Sequence, residues 1–267
     1  MSKHIYKKFY YKNTVYYSKL YFFTTAEFIH IIILRIIKGV FMATKVLVYN
    51  GDNNEMEAHY LEESDTMPYA TEGSLRVGEF RGSSNSPTIW TDKALMDCWN
   101  ILREQWGSPI EVRYAFKRLW EGGHGAQSQH YAGTAMDMAQ SFPNDQRNEL
   151  RILAEQIGCF VYVEPAYLTP TWVHVDKRMT PPACAAGYIM VAEGSINTYV
   201  LILQDALNTL GFTGAGLDGV FGLGTKNALI EYQESRGLTP DGIAGCQTWT
   251  YLTSEVKGTG STDTTIL

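Results

Sequence analysis

The sequence predicts an α+β protein: a mainly antiparallel sheet with flanking helices, followed by a small all-α domain of three helices. Three observations predict it. Strand-like apolar runs, such as Lys45-Val-Leu-Val-Tyr49 and Phe160-Val-Tyr162-Val163, are interspersed with helix-period stretches at about 92–105 and 145–157. Their order lacks the regular βαβ alternation of a parallel sheet. From residue 197 the pattern becomes helical and repeats itself. These features divide the 267 residues into a leader (1–41), a body (42–178), a linker (179–196), a helical domain (197–254) and a tail (255–267).

The leader stands apart in composition. It holds six tyrosines and five phenylalanines, with seven Lys/Arg against the single acid Glu27, a balance of +6. With −6 for the whole chain, residues 42–267 therefore carry −12. Its residues are those of A/T-rich codons, and Lys38-Gly39-Val40-Phe41-Met42 is encodable by a purine-rich run of the ribosome-binding type ahead of an ATG. Translation is expected to begin at Met42. The competing reading is an export signal, but the run Phe28-Ile-His30-Ile-Ile-Ile-Leu-Arg35-Ile-Ile is broken by two polar residues and lacks a small-x-small cleavage site. It also falls short of the roughly 20 uninterrupted apolar residues of a membrane span, so no stable membrane insertion is expected. The body is long enough to bury a core without staples, and its acidity argues against nucleic acid as a partner.

Within the body, Ser128-Gln-His130-Tyr-Ala-Gly133-Thr-Ala-Met-Asp137 is answered by Trp172-Val-His174-Val-Asp176. Two histidines and one carboxylate are the ligand set of a catalytic zinc site, which keeps its fourth position open for water. The gap from His130 to Asp137 is too long for one helical turn and suits a ligand on a loop followed by one on the next strand. Gly133 would permit a tight turn between them. Alternation places Asp137 on one face, opposite Met136 and Met138. His174 likewise shares a face with Trp172 and Asp176, while Val173 and Val175 face the core. His124, in Gly122-Gly-His124-Gly, has no motif partner and reads as a loop residue.

The pattern Ser-x-His-x-x-Gly-x-Ala-x-Asp, followed by an aromatic-Val-His-Val-Asp strand, resembles the zinc D-Ala-D-Ala carboxypeptidase/endopeptidase family, whose fold is shared by the hedgehog signalling domain. The resemblance spans about residues 74–178. It implies Zn2+ on His130, Asp137 and His174 and hydrolysis of peptidoglycan stem peptides or crosslinks. Family members place an arginine after a Gly-x-Pro-Ile strand. Here Gly107-Ser-Pro-Ile110 leads to Lys117, which supplies charge without the bidentate fork, with Arg118 as the alternative. Many relatives carry an acid three residues before the second histidine, where this chain has Thr171. Hedgehog-like members instead use a Trp-Val-Tyr-Tyr-Glu strand that hairpins back, and Phe160-Val-Tyr162-Val-Glu164 resembles it. Glu164 is thus the expected general base, shuttling a proton to the leaving amine, and Lys117 or the metal the expected oxyanion partner. Asp176 is the alternative base or a support of the ligands. Ser128 either donates to the substrate, orients the ligand loop or caps the backbone.

From Asn197 to Thr253, Tyr199–Leu210 has helical periodicity ending at Gly211. Asp218-Gly-Val-Phe-Gly222-Leu-Gly-Thr225 is matched 23 positions on by Asp241-Gly-Ile-Ala-Gly245-Cys-Gln-Thr248. Asp-Gly makes a turn, the second glycine allows close packing, and the threonine opens the next helix. With Tyr232-Gln233 and Thr248-Trp249, this resembles the three-helix peptidoglycan-binding domain; Trp249 is expected in its core. Such a module raises the local substrate concentration of a tethered enzyme.

The four cysteines show no Cys-x-x-Cys spacing, so a second metal site is not expected. Cys98 and Cys159 lie in apolar stretches and are read as small hydrophobes. Cys184 and Cys246 either bridge linker to module or remain free. The Gly/Ser/Thr-rich tail after Val256 reads as disordered. The expected whole is a monomeric, wall-targeted zinc peptidase of the endolysin type, cytoplasmic until released, or secreted if the leader is genuine. The alternatives are an inactive peptidoglycan-binding protein, favoured by Thr171 and Lys117, and a host wall-remodelling carboxypeptidase. An amidase or glycosidase is disfavoured because no paired acids stand in a glycosidase setting.

Overall fold

The computed structural model describes residues 43–260, together with the backbone of two strands, β1 (Tyr6–Tyr11) and β2 (Thr14–Lys19). The expected start at Met42 lies outside the described residues, as do positions 261–267 of the tail. Five further elements build the first layer: β3 (Thr44–Asn50), β4 (Glu55–Leu61), α1 (Val77–Arg81), β5 (Thr88–Asp92) and α2 (Lys93–Trp106). Asp92 caps α2 by accepting from the Ala94 N–H at 2.8 Å. The strands form a mixed sheet in the order β2-β1-β4-β3-β5, with β3 antiparallel to β4 and parallel to β5.

A second sheet, wholly antiparallel, carries the residues of the two histidine motifs. It is ordered β6 (Val112–Tyr114), β7 (Ala135–Met138), β9 (Val173–Asp176) and β8 (Tyr162–Val163). The one-turn helix α3 (Gln129–Ala132) leads into β7, and α4 (Asn144–Ile157) crosses between β7 and β8. The protein is α+β as expected, but its antiparallel pairing is divided over two sheets. The helices lie within a residue of the predicted ranges because their apolar period and the left-handed caps at Gly107 and Gly158 mark them in the sequence.

Cys98 and Cys159 depart from expectation. They are joined in a disulfide that ties α2 to the segment just after α4. The apolar setting that suggested simple packing also holds their Cα atoms 5.5 Å apart, within bridging range. A second disulfide joins Cys184 to Cys246.

The C-terminal helices are α5 (Thr198–Thr209), α6 (Leu223–Ser235) and α7 (Cys246–Val256). The internal repeat has a physical basis in two buried glutamines. Gln204 Nε2 donates to Asp218 Oδ1 (2.8 Å) and Thr225 Oγ1 (3.1 Å), and its Oε1 accepts from the Gly219 N–H (2.9 Å). Gln233 repeats the arrangement with Asp241 (3.0 Å), Thr248 (3.1 Å) and the Gly242 N–H (2.9 Å). Each Asp-Gly turn is thereby clasped to the helix before it, and Gly222 and Gly245 stand at the N-caps of the helices that follow. Trp249 is fully buried, as expected, and donates to the Ile189 carbonyl at 2.8 Å.

The helical domain does not stand apart from the body. One hydrophobic cluster runs through both, and Arg118 meets Asp205 of α5 in a buried ion pair. The tail also departs from expectation. Glu255 and Val256 end α7, and the N–H groups of Gly258 and Gly260 donate to the Leu119 and Trp120 carbonyls at 3.2 and 2.9 Å. Those backbone bonds order residues that composition alone marks as loose. Among the described residues, no helix is long and apolar enough to cross a membrane.

Candidate metal centre

His130, Asp137 and His174 converge. One ligand atom from each lies within 4.8 Å of the other two. Antiparallel pairing of β7 with β9 sets Asp137 directly opposite His174, while Met136, Met138, Val173 and Val175 turn into the core. His130 stands not on a loop but in the single turn of α3, where Ser128 caps the helix by accepting the His130 N–H at 3.3 Å. Ser128 thus caps the backbone and also lines the cleft. The turn closes at Gly133, whose φ of 65° is left-handed. A Cβ there would stand 1.9 Å from the Trp90 carbonyl oxygen, so both the dihedral and the space demand glycine. Trp90 Nε1 and Thr91 Oγ1 in turn donate to the Tyr131 and Gly133 carbonyls, each at 2.9 Å. Gly133→Ala is expected to destabilise the protein by about 2–5 kcal/mol, the range for overpacking with backbone strain, and to lower metal affinity. Chemical denaturation and metal titration of the purified variant check both.

The donor set fits a divalent ion. His130 Nδ1 lies 3.2 Å from the Ala115 carbonyl; donating its N–H there fixes the tautomer and leaves Nε2, 3.3 Å from Asp137 Oδ1, free to ligate. His174 presents Nδ1 to Asp137 at 2.7 Å and Nε2 to Asp176 Oδ2 at 3.5 Å. Asp176 is fully buried and also paired with Arg178, so it orients His174. Burial favours the neutral form of Asp137, but hydrogen bonds from His130 and His174 outweigh it and hold the carboxyl well below its usual range. Burial likewise disfavours imidazolium at His174, yet the carboxylates of Asp137 and Asp176 raise its pKa to about 9.

The three groups lie in a cleft of about 820 Å³, the size of a small-ligand or peptide site. Glu164 lines it, fixed beside His174 by a bond from its N–H to the His174 carbonyl at 2.9 Å. Arg151 staples the hairpin loop beyond it, donating to the carbonyls of Glu164 (3.0 Å), Thr169 (2.9 Å) and Trp172 (2.7 Å). Lys117 does not line the cleft, although its charge acts through space on His124, which does. Lys117 is half-buried, and its N–H points to the His130 carbonyl at 3.4 Å. Strand β6 shifts register between Val112 and Tyr114 and then ends, so a count made along a strand from Gly107 does not carry through to position 117. Arg118 is also unavailable, buried against Asp205.

Two lining residues escape the motif reading. His124 stacks on His130 with ring centroids 4.3 Å apart, and its buried Nε2 has no hydrogen-bond partner among the described residues. Burial, reinforced by His130, pushes its pKa down to about 4, so the ring is neutral. Arg178 lies over the Tyr162 ring at 4.7 Å while paired with Asp176. Neither has a partner at fixed spacing; only the run of glycines around His124 hints at a loop that approaches closely.

Residues 197–252 match the family model described as "Putative peptidoglycan binding domain". This segment is a peptidoglycan-binding domain. The chain is 47% identical over 62 residues to an N-acetylmuramoyl-L-alanine amidase, CwlM, of Mycobacterium tuberculosis, and 40% identical over 73 residues to a spore cortex-lytic enzyme of Bacillus cereus. These stretches cover 22% and 27% of this chain but only 15% and 28% of the relatives' own lengths. Among solved structures, the SleB N-terminal domain is 40% identical, covering 26% of this chain and 93% of that one with a TM-score of 0.25.

Proposed function

We propose that this protein is a zinc-dependent peptidase that cleaves peptide bonds in peptidoglycan stem peptides or crosslinks. The observation that supports it is the meeting of His130, Asp137 and His174 in one cleft of a chain that also carries a peptidoglycan-binding domain. Two imidazole nitrogens and one carboxylate oxygen suit zinc and leave a position open for water and substrate. A bound ion supplies Lewis acidity, polarising the scissile carbonyl and acidifying water. Glu164 takes the proton from the attacking water and hands it to the departing amine. Nε2 of neutral His124 and the Arg178 guanidinium are the donors that receive the carbonyl oxygen or a peptide carboxylate. Residues 42–178 form the peptidase domain and 179–196 the connection to the wall-binding domain.

The test is digestion of purified muropeptides with and without chelator, with mass analysis of the products. Loss of every new product on chelation supports the reading; no product from the zinc-loaded protein leaves only a wall-binding function. Glu164→Gln is expected to lower kcat by about 10²–10⁴-fold with metal content unchanged. Should Glu164→Gln stay active while Asp176→Asn is dead, the two carboxylates exchange roles.

A further inference from the structure

Besides Asp137 of β7 and Arg178, the cleft is lined by the segment from Gly123 to His130, the β8–β9 hairpin, and residues of the connection to the peptidoglycan-binding domain, Ala186 and Gly187. The third is a compact strap closed on itself by the Ala183 N–H donating to the Tyr188 carbonyl at 2.8 Å. It is fastened at both ends. Cys184 is bonded to Cys246 at the start of α7. At the other end Tyr188 is fully buried, its hydroxyl donating to the Ser128 carbonyl at 3.0 Å and its N–H to Gln127 Oε1 at 3.1 Å. Between these fastenings Ala185 and Ala186 are exposed. Among the described residues, the N–H groups of Ala185, Ala186 and Gly187 have no hydrogen-bond partner.

A fixed strip of small side chains with unused backbone donors is suited to an extended peptide, which docks through its own backbone carbonyls. We propose that the strap from Cys184 to Tyr188, held in place by the Cys184–Cys246 disulfide, is a peptide-binding wall of the cleft. The inference deepens the peptidase reading, on which it rests for the identity of the peptide. It gives the peptidoglycan-binding domain a second role, because helix α7 anchors part of the subsite as well as belonging to the module that holds the polymer. The bridge spans 62 positions of sequence, and without it the strap is held by Tyr188, by a long bond from Gln129 Nε2 to the Gly187 carbonyl (3.5 Å) and by the chain itself. An untethered strap must be ordered by each incoming peptide, which weakens binding without touching the reacting groups.

The test uses full-length protein carrying Cys184→Ser with Cys246→Ser, and separately Gly187→Ala. At position 187, where φ is +107°, a Cβ would stand 2.1 Å from Gln127 Oε1 and displace the strap's lateral contact. Binding of a synthetic stem peptide to metal-free protein is measured by calorimetry, alongside KM and kcat of the zinc-loaded protein on soluble muropeptides. Both variants are expected to bind the peptide about tenfold more weakly, with KM raised, kcat within about twofold, and zinc affinity and retention on sacculi unchanged. Weakened binding by both variants when even the wild type cleaves nothing leaves the wall in place and removes the peptidase reading. Equal peptide affinity in wild type and both variants overturns the proposal. So does a parallel loss of zinc affinity, since the strap then only braces the His130 loop.

Discussion

The His130→Ala protein is expected to lose metal and hydrolysis together while remaining folded. Removing a group that merely supports a ligand costs about 10–100-fold in metal affinity, so loss of a ligand itself should exceed that range. The imidazole is buried, but among the described residues its polar atoms meet only the Ala115 carbonyl and the Asp137 carboxylate. Truncation therefore strands few partners, and global stability should fall by less than metal affinity. The same centre predicts a pH dependence. In the metal-free protein His174 is raised to about 9 by Asp137 and Asp176, so near neutrality it carries a proton that an ion must displace. Apparent affinity is therefore expected to rise with pH and to level off above about 9, with close to one proton released per ion at pH 7. Calorimetry in buffers of different ionisation enthalpy counts that proton. Affinity independent of pH between 6 and 9 would show that His174 is not a ligand.

That the centre is legible in the sequence has a simple cause. Strand alternation fixes the face on which a side chain falls, and pairing of two short strands then brings Asp137 against His174 whatever the rest of the chain does. The repeat in the wall-binding domain is legible for a similar reason: each Asp-Gly turn and the threonine after it answer one glutamine. What fails to show lies where the chain leaves regular structure. Counting from Gly107 on the family's pattern puts Lys117 at the arginine position, but strand β6 shifts register and stops at Tyr114, and Lys117 does not line the cleft. His124 reaches the cleft through a glycine-rich loop, which has no period to read. The apolar neighbours of Cys98 and Cys159 describe a buried thiol and a buried disulfide equally well; only the distance between α2 and the end of α4 separates the two. The close union of the two domains leaves no trace in the sequence, because the linker's composition reports loop character and not what the loop touches.

That union yields the largest expected change in stability. Arg118 and Asp205 are 4% and 1% exposed. The guanidinium donates through Nε to Asp205 Oδ2 at 2.7 Å and through its second terminal nitrogen to Oδ1, while Nη1 donates to Ser86 Oγ at 2.8 Å. It also lies over the Trp90 ring at 4.8 Å. Arg118, the alternative to Lys117 as an oxyanion partner, is thus spent on joining the body to α5. Arg118→Ala leaves a buried carboxylate without its partner, and Asp205→Ala leaves a buried guanidinium. Each is expected to cost about 3–5 kcal/mol, read as a shift in the denaturation midpoint. Arg118→Met with Asp205→Leu removes both charges and fills the space, and should recover most of that loss. Because the segment leading to Arg118 supplies the carbonyl of Ala115 to His130 and the Lys117 N–H to the His130 carbonyl, the single variants should also bind zinc more weakly, and the apolar pair should restore it. Independent domains would behave otherwise: Asp205→Ala would shift only the unfolding of the wall-binding domain and leave zinc affinity untouched.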